Sequence, residues 1–198
     1  MFQMIFAMVL VMEPPFDNNY DYLFTVCVLG DELVGKSSLI RRYVEGTFSS
    51  APTHPTVGID FKLKYLRLND QKILLQLWDS SGKIKYRNLI QHIFAKVMGI
   101  ILMLDVTNTK SLAQLGSWID AIRTFGYPQT QIIVLGNKCD VNSSRAITRE
   151  EMIQYTEQLS IVYMECSCKE NLRIDQVFEV MINLIMNKMK EIVNFENL

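Results

Sequence analysis

Short apolar runs separated by polar turns recur along the chain from residue 24 onward. Three of them, at 24–29, 99–105 and 131–137, are apolar at nearly every position, which is typical of strands buried in a parallel sheet. A shorter run at 161–165 predicts one more strand. Segments 60–68 and 72–78 flank the turn-forming pair Asn69-Asp70, which predicts an antiparallel hairpin.

Segments with helical spacing alternate with these strands. They are residues 36–44, residues 111–125 and a methionine-rich stretch from Ile174 onward. Thr148 and Glu151 form a capping-box pattern that begins a helix reaching about residue 159. The order of elements predicts an α/β fold, with a six-stranded, mostly parallel sheet, one antiparallel edge strand and helices on both faces.

The two ends of the chain are expected to lie outside this fold. Residues 1–12 are apolar and carry no charged side chain, and Glu13-Pro14-Pro15 ends any helix there. Three interpretations stay open for this segment: a membrane-touching anchor, a buried strand or helix, or an upstream start that is not used, which is favoured. The predicted organisation is an N-terminal extension (1–20), one domain (21–190) and a short tail (191–198).

Composition narrows the class of protein. The chain has 198 residues, enough for one α/β domain, and its net charge of −1 gives no basic field that would attract nucleic acid. No C-x-x-C pair occurs among Cys27, Cys139, Cys166 and Cys168. This pattern favours a reduced cytoplasmic protein over a disulfide framework or a cysteine metal site.

A G-x-x-x-x-G-K-S sequence joins the first predicted strand to the first predicted helix. Its glycines let several backbone N–H groups point at one phosphate, and the helix adds the positive end of its dipole. Lys36 supplies a charge for terminal phosphates, and Ser37 supplies a hydroxyl for Mg²⁺. The candidate phosphate-binding residues are Gly30, Asp31, Glu32, Leu33, Val34, Gly35, Lys36, Ser37 and Ser38.

Polar clusters follow three other predicted strands, at 79–82, 137–140 and 166–169. Because ligands bind beyond the carboxyl ends of parallel strands, we expect these clusters to meet there. Asp140 offers two carboxylate oxygens to the adjacent N–H donors of guanine, which adenine lacks. Lys138 can lay its apolar stem over the base, and a backbone N–H near Cys168 can serve the guanine oxygen.

Three further residues are candidates for the phosphate end of this site. Asp79 is expected to hold Mg²⁺ through water, and Thr56, in a proline-containing loop, to give the ion a second hydroxyl. Gly82 can bring its N–H close to a γ-phosphate because it has no side chain. Such segments become ordered around a γ-phosphate and Mg²⁺ and relax when these leave.

These residues resemble the small GTPases of the Ras superfamily, and most of all the Rab branch. The resemblance covers residues 21–190 and rests on 30–37, TVGIDF at 56–61, LWD at 77–79 with Gly82, NKCD at 137–140 and ECSCK at 165–169. It implies a P-loop NTPase fold, GTP or GDP with Mg²⁺ as ligands, and a switch function in vesicle and membrane trafficking.

The resemblance also assigns roles to residues. Lys36 and the loop amides would hold the β- and γ-phosphates, Ser37 and Thr56 would hold Mg²⁺, and Phe48 would pack on the base. The implied guanine-binding residues are Asn137, Lys138, Asp140, Ser167, Cys168 and Lys169. Segments 48–60 and 79–94 would be switches I and II, which effectors, exchange factors and GTPase-activating proteins contact.

Departures from the family pattern affect the hydrolytic centre. Gly82 and Lys83 stand at the catalytic positions, and Lys83 replaces the family glutamine that orients the attacking water. An ammonium group has donors only and cannot accept a hydrogen bond from that water. Glu32 stands beside the γ-phosphate position, where a carboxylate repels the phosphate unless it points away; pairing between Glu32 and Lys83 is one arrangement that would relieve this.

Other departures affect the switches and the chain end. The loop from Ser37 to Thr56 is one residue longer than in Rabs, and Pro55 precedes Thr56, which puts the usual approach of Thr56 to the metal in question. Ile93 replaces a Rab aromatic that joins Phe61 and Trp78 in an effector surface. The sequence ends without the cysteine that receives a prenyl group.

Two hypotheses of different kinds follow. The first is a Rab-like guanine-nucleotide switch with weak intrinsic hydrolysis, monomeric, in the cytoplasm and on the surface of endomembranes. The second is a catalytically inactive GTPase-fold scaffold, motivated by Glu32, Lys83, Pro55 and the missing lipid site. An ATP-using kinase or ATPase is disfavoured by Asp140.

Overall fold

A computed structural model describes residues 19–50, 56–83 and 86–196 and contains one six-stranded sheet in these ranges. The strands are β1 (Tyr22–Leu29), β2 (Ile59–Leu68), β3 (Gln71–Ser80), β4 (Gly99–Asp105), β5 (Gln131–Asn137) and β6 (Val162–Glu165). Their spatial order is β2-β3-β1-β4-β5-β6. Only β2 and β3 pair antiparallel, and the other neighbours are parallel. The predicted α/β fold with one antiparallel edge strand is therefore confirmed.

Helices cover both faces of this sheet. They are α1 (Lys36–Glu45), α2 (Arg87–Phe94), α3 (Thr109–Phe125), α4 (Arg149–Glu157) and α5 (Ile174–Glu196). Alternate residues of β1 point to opposite faces: Phe24 and Val26 pack in a core with α1 and α5, whereas Cys27 and Leu29 pack in a second core with α2, α3 and α4. Every helix in the described ranges is too short or too polar to span a bilayer.

The hairpin turn and the capping box are present where the local sequence predicts them. Asn69 and Asp70 have φ values of 49° and 63°, as a tight turn between twisted strands requires. Thr148 and Glu151 form the predicted capping box at the start of α4. The last helix extends to Glu196, so residues 191–196, expected as a tail, continue α5. Residues 1–18 of the predicted extension (1–20) and residues 197–198 lie outside the described residues.

Two features of the segment after β3 were not predicted. Helix α2 lies inside the expected switch II, where the sequence analysis assigned no helix. Ile90, Ile93 and Phe94 of this helix are buried in the second core. At the position where Rabs carry an effector-surface aromatic, Ile93 is only 2% exposed, while Phe61 and Trp78 keep a ring contact of 6.0 Å.

Candidate functional site

The loop between β1 and α1 depends on glycines at two positions. Gly30 and Gly35 have φ values of 133° and 104°, which side-chain-bearing residues rarely adopt. A Cβ atom on Gly30 would lie 2.2 Å from the carbonyl oxygen of Met103, and one on Gly35 would lie 2.4 Å from Nδ2 of Asn137. The glycines thus let the loop lie directly on the ends of β4 and β5.

Lys36 begins α1 and points back across the loop. Its side chain is buried, and Nζ donates a hydrogen bond of 2.6 Å to the carbonyl oxygen of Asp31. Burial lowers the pKa of Lys36 to about 8, against the opposing effect of the carboxylates of Asp79 and Asp31. An anion bound in the loop would stabilise the charged form of this lysine.

The three predicted magnesium ligands lie together at the end of β3. The hydroxyl oxygens of Ser37 and Thr56 are 3.0 Å apart, and Thr56 Oγ1 donates to Asp79 Oδ2 at 3.4 Å. The longer loop therefore leaves Thr56 within reach of Ser37 and Asp79; Pro55 itself lies outside the described residues. Asp79 Oδ1 is buried without a hydrogen-bond partner in the described part of the chain, and burial raises the pKa of this carboxyl group.

Switch II contacts the phosphate loop through Gly82. A Cβ atom on this residue would lie 2.4 Å from both the carbonyl carbon of Asp31 and the nitrogen of Glu32. Glu32 and Lys83 line the same cavity, of about 170 Å³, with Ser37 and Thr56. Glu32 is exposed and Lys83 half-buried, and the described ion pairs do not include one between them.

Asn137 connects three segments at the other end of the site. Its Nδ2 donates to the carbonyl oxygen of Val34 at 2.8 Å, and its Oδ1 accepts from the backbone N–H of Cys168 at 3.2 Å. The Cys166 thiol lies 3.6 Å from the same oxygen. The backbone N–H of Cys168 is thus bonded to Asn137 here, and the Asn137 side chain joins the phosphate loop to the segment after β6.

Asp140 has the free acceptor that recognition of guanine needs. Its Oδ1 is buried and has no hydrogen-bond partner within the described residues. A buried acceptor without a donor is costly, so this oxygen marks a place for a ligand with N–H groups. Lys138 has a φ of 65°, and its Nζ lies 2.5 Å from Asp105 Oδ2. Its ammonium is therefore paired with this carboxylate, on a side chain that is 39% exposed.

Arg42 was missed by the sequence analysis and supports the base end. Its Nε donates to the carbonyl oxygen of Cys168 at 3.0 Å, and Nη2 donates to that of Lys169 at 2.9 Å. The guanidinium also lies 5.4 Å from the ring centre of Phe48. Ser167 is fully buried and accepts a hydrogen bond from the N–H of Glu170. The only signal for Arg42 was an arginine in the first helix, which does not reveal a partner 126 residues away.

The two ends together fit a nucleotide with a divalent cation. The oxygens of Ser37, Thr56 and Asp79 are the hard ligands that Mg²⁺ prefers, and Lys36 lies beside them. The unpartnered oxygens belong to Asp79, at the end of β3, and to Asp140, in the segment after β5, at the edge of the sheet where α/β proteins bind ligands. Residues separated by up to 139 positions, from Gly30 to Lys169, thus contribute to one surface.

The sequence of this chain is similar to proteins of one family. The sequence model of the Ras family matches residues 25–187. Ras-related protein Rab-3 of Caenorhabditis elegans is 38% identical over 175 residues, covering 88% of this chain and 80% of the relative. Rab-3C of Bos taurus is 39% identical, with coverage of 88% and 77%, and Rab-3A of Homo sapiens is 37% identical, with coverage of 88% and 79%.

Proposed function

Because this chain is a Rab-like small GTPase of the Ras superfamily, we propose that it binds GTP and GDP with Mg²⁺ and hydrolyses GTP slowly. The observation that carries the proposal is the buried, unpartnered Oδ1 of Asp140. It supplies an acceptor to paired N–H donors, which guanine presents and adenine does not. Rejection of adenine follows because this carboxylate would stay desolvated and unpaired.

At the phosphate end, we assign phosphate binding and Mg²⁺ binding to residues of the phosphate loop and of the two switch segments. Lys36 and the N–H groups of the loop would hold the terminal phosphates, and Ser37, Thr56 and Asp79 would hold Mg²⁺, which neutralises phosphate charge when bound. Gly82 lies on the peptide between Asp31 and Glu32. Its N–H can therefore bind a γ-phosphate, and switch II can move when that phosphate is lost.

Slow hydrolysis is proposed because of Lys83. An ammonium group at the water-orienting position offers no acceptor to the attacking water. Glu32 lines the same cavity and adds a negative charge near the place where the γ-phosphate would lie. The proposed enzyme thus retains nucleotide binding but has lost part of the machinery that fixes the water.

The cellular role follows from membership of the Rab branch. We infer a switch in vesicle trafficking whose segments 48–60 and 79–94 contact effectors, an exchange factor and a GTPase-activating protein. Residues 51–55 and 84–85 of these segments lie outside the described residues. A monomer in the cytoplasm with peripheral membrane contact is part of the proposal. The buried position of Ile93 supports an effector surface that differs from the usual aromatic one.

Titration with fluorescent GTP, GDP and ATP, with Mg²⁺ or with EDTA, tests this function. We expect both guanine nucleotides to bind at least about a hundredfold more tightly than ATP, because a site built for N–H donors rejects analogues without them. Asp140→Asn should remove most of that preference, whereas Asp120→Asn, on the exposed face of α3, should not. Equal affinity for all three nucleotides, or no binding of any, contradicts the proposal.

A scaffold that keeps the fold without turnover is the second candidate. The specific observation for it is the cavity that Glu32 shares with Lys83, since two family departures face the same phosphate position. Release of bound nucleotide from the purified chain by denaturation, followed by chromatography, separates the two functions. Stoichiometric GTP that is never converted to GDP, or no nucleotide at all, favours the scaffold.

A further inference from the structure

Apolar side chains in the C-terminal half of helix α5 are partly exposed to solvent. Met186 and Met189 are only half-buried, and Val193 is 54% exposed. They face a groove of about 400 Å³, within the size range of pockets that bind small ligands, roughly 300–1,000 Å³. This α5 groove is lined by Tyr22, Met186, Met189, Lys190, Val193 and Asn194.

The groove lies far from the nucleotide site. Tyr22 is the first residue of β1, and Leu29, its last residue, leads into the phosphate loop. A strand of eight residues separates the two ends by about 23 Å, at about 3.3 Å per residue. Neither the phosphate loop nor the base-binding residues line the groove, so nucleotide binding does not account for it.

The chain enters the fold beside this groove. Backbone groups of Asp21 and Lys72 bond at 2.7 Å, and the carboxylate of Asp21 accepts from the N–H of Lys72 at 2.7 Å. The Lys72 ammonium also donates to the side-chain oxygen of Asn19. These bonds fasten residues 19–21 to the start of β3, immediately before Tyr22. The described structure therefore begins at Asn19, only three residues before Tyr22 of the groove.

The chemistry of residues 1–12 complements the groove. The segment MFQMIFAMVLVM contains no charged side chain, and the six residues that follow carry two acidic ones, Glu13 and Asp17. Lys190 lies at the rim of the groove, which suits an acidic tether. Six residues reach up to about 20 Å when extended, so the apolar segment can turn back onto α5. Leaving both apolar surfaces in water would be unfavourable.

We propose that residues 1–12 dock into the α5 groove of the same chain. The contact covers Met186, Met189 and Val193 with apolar side chains, while the acidic tether passes the ammonium of Lys190. The N-terminal segment is then an integral layer of the domain and is not available as a membrane anchor. This inference does not depend on which nucleotide the site binds or whether it is hydrolysed.

Site-specific cross-linking in the full 198-residue chain tests the proposal. Ala7→Cys is combined with Asn194→Cys at the groove rim, or with Ala113→Cys on the exposed surface of α3 as the matched control. A short bismaleimide links the pairs, and mass spectrometry of peptides identifies the joined cysteines. We expect the groove pair to link roughly tenfold faster than the control, because docking raises the local concentration beyond that of a free tether.

Two further measurements decide what the linkage means. Ile5→Asp with Val9→Asp should abolish the advantage of the groove pair, since charged side chains cannot be buried there. Sedimentation with phosphatidylcholine–phosphatidylserine vesicles tests the membrane as the occupant. Equal linking rates, links between two different chains, or vesicle binding through residues 1–12 without the intramolecular link would each overturn the proposal.

Discussion

At the scale of single residues, Glu32 and Lys83 bear most directly on the proposed hydrolysis of GTP. Glu32 is exposed, so its carboxylate can point into water, where salt screens its repulsion of a phosphate. Lys83 is half-buried in the same cavity and lacks the acceptor that an attacking water needs. Lys83 should therefore limit hydrolysis more than Glu32 does, and the two effects can be separated by substitution.

Lys83→Gln is expected to raise the single-turnover rate of GTP hydrolysis about tenfold or more, because the amide oxygen restores an acceptor for the water. Glu32→Ser should give a smaller increase. The measurement is phosphate release from a preloaded GTP complex under single-turnover conditions.

Lys110→Gln, at an exposed position of α3, is the matched control and should leave the rate unchanged. If Lys83→Gln hydrolyses GTP no faster than the parent chain, another group sets the limit, and the role assigned to Lys83 is wrong.

At the scale of elements, the segment after β6, which we predict to bind the base, is held by an ion pair whose carboxylate is buried. Arg145 donates to both carboxylate oxygens of Glu165, at 2.9 and 3.1 Å, and the hydroxyl of Tyr163 donates to the same carboxylate at 2.8 Å. Burial by itself would raise the pKa of Glu165, but the bonds from Arg145 and Tyr163 hold it below its usual value. The pair thus ties the segment before α4 to the end of β6.

Arg145→Ala should lower the free energy of unfolding by about 3 kcal/mol at pH 7, because it leaves a buried carboxylate without its cationic partner. The loss should shrink as pH falls below 4.5. A carboxyl group whose folded pKa is depressed stabilises the fold above its unfolded value, and this contribution is lost as pH falls through the folded pKa. Urea unfolding at pH 7 and pH 4 measures both values.

The exposed pair of Lys188 and Glu191 on α5 provides the comparison. Lys188→Ala should change stability by less than about 1 kcal/mol, as exposed ion pairs usually do. An Arg145→Ala penalty that is as small as this, or independent of pH, would show that Glu165 finds other partners.

Across the whole molecule, one arginine joins parts that are far apart in the chain. Arg42 on α1 bonds to carbonyl oxygens of Cys168 and Lys169 and lies over the ring of Phe48. Arg42 therefore connects α1 with Phe48, at the start of the predicted switch I, and with the segment predicted to bind the base. We therefore expect Arg42 to couple the positions of these segments.

Arg42→Ala is expected to accelerate dissociation of fluorescent GDP by about tenfold or more, because hydrogen bonds from a charged donor contribute about 1.5–3 kcal/mol each. Stopped-flow exchange against excess unlabelled GDP measures the rate. Arg41→Ala, at the adjacent half-buried position, should change it far less. Equal rates for the two variants would assign no positioning role to Arg42.

The local pattern of the sequence determined where the strands and most helices lie and which residue types are available for the candidate site. Strands at Gly99–Asp105 and Gln131–Asn137 have the predicted limits, because continuous apolar runs bounded by polar residues favour buried strands. The hairpin turn and the capping box likewise formed where the sequence places them, since both depend on interactions within a few residues. The chemistry of the phosphate and base segments follows from residue types at fixed spacing.

Only the tertiary structure decided the contacts between distant residues. Thr56 reaches Ser37 and Asp79 despite the longer loop, Ile93 turns into the core, and Arg42 meets the base-binding segment. Each depends on how helices pack on the sheet, which local periodicity does not encode, because the same pattern fits an exposed or a covered face. The α5 groove is of this kind: β1 and α5 create it together, although they lie at opposite ends of the described chain.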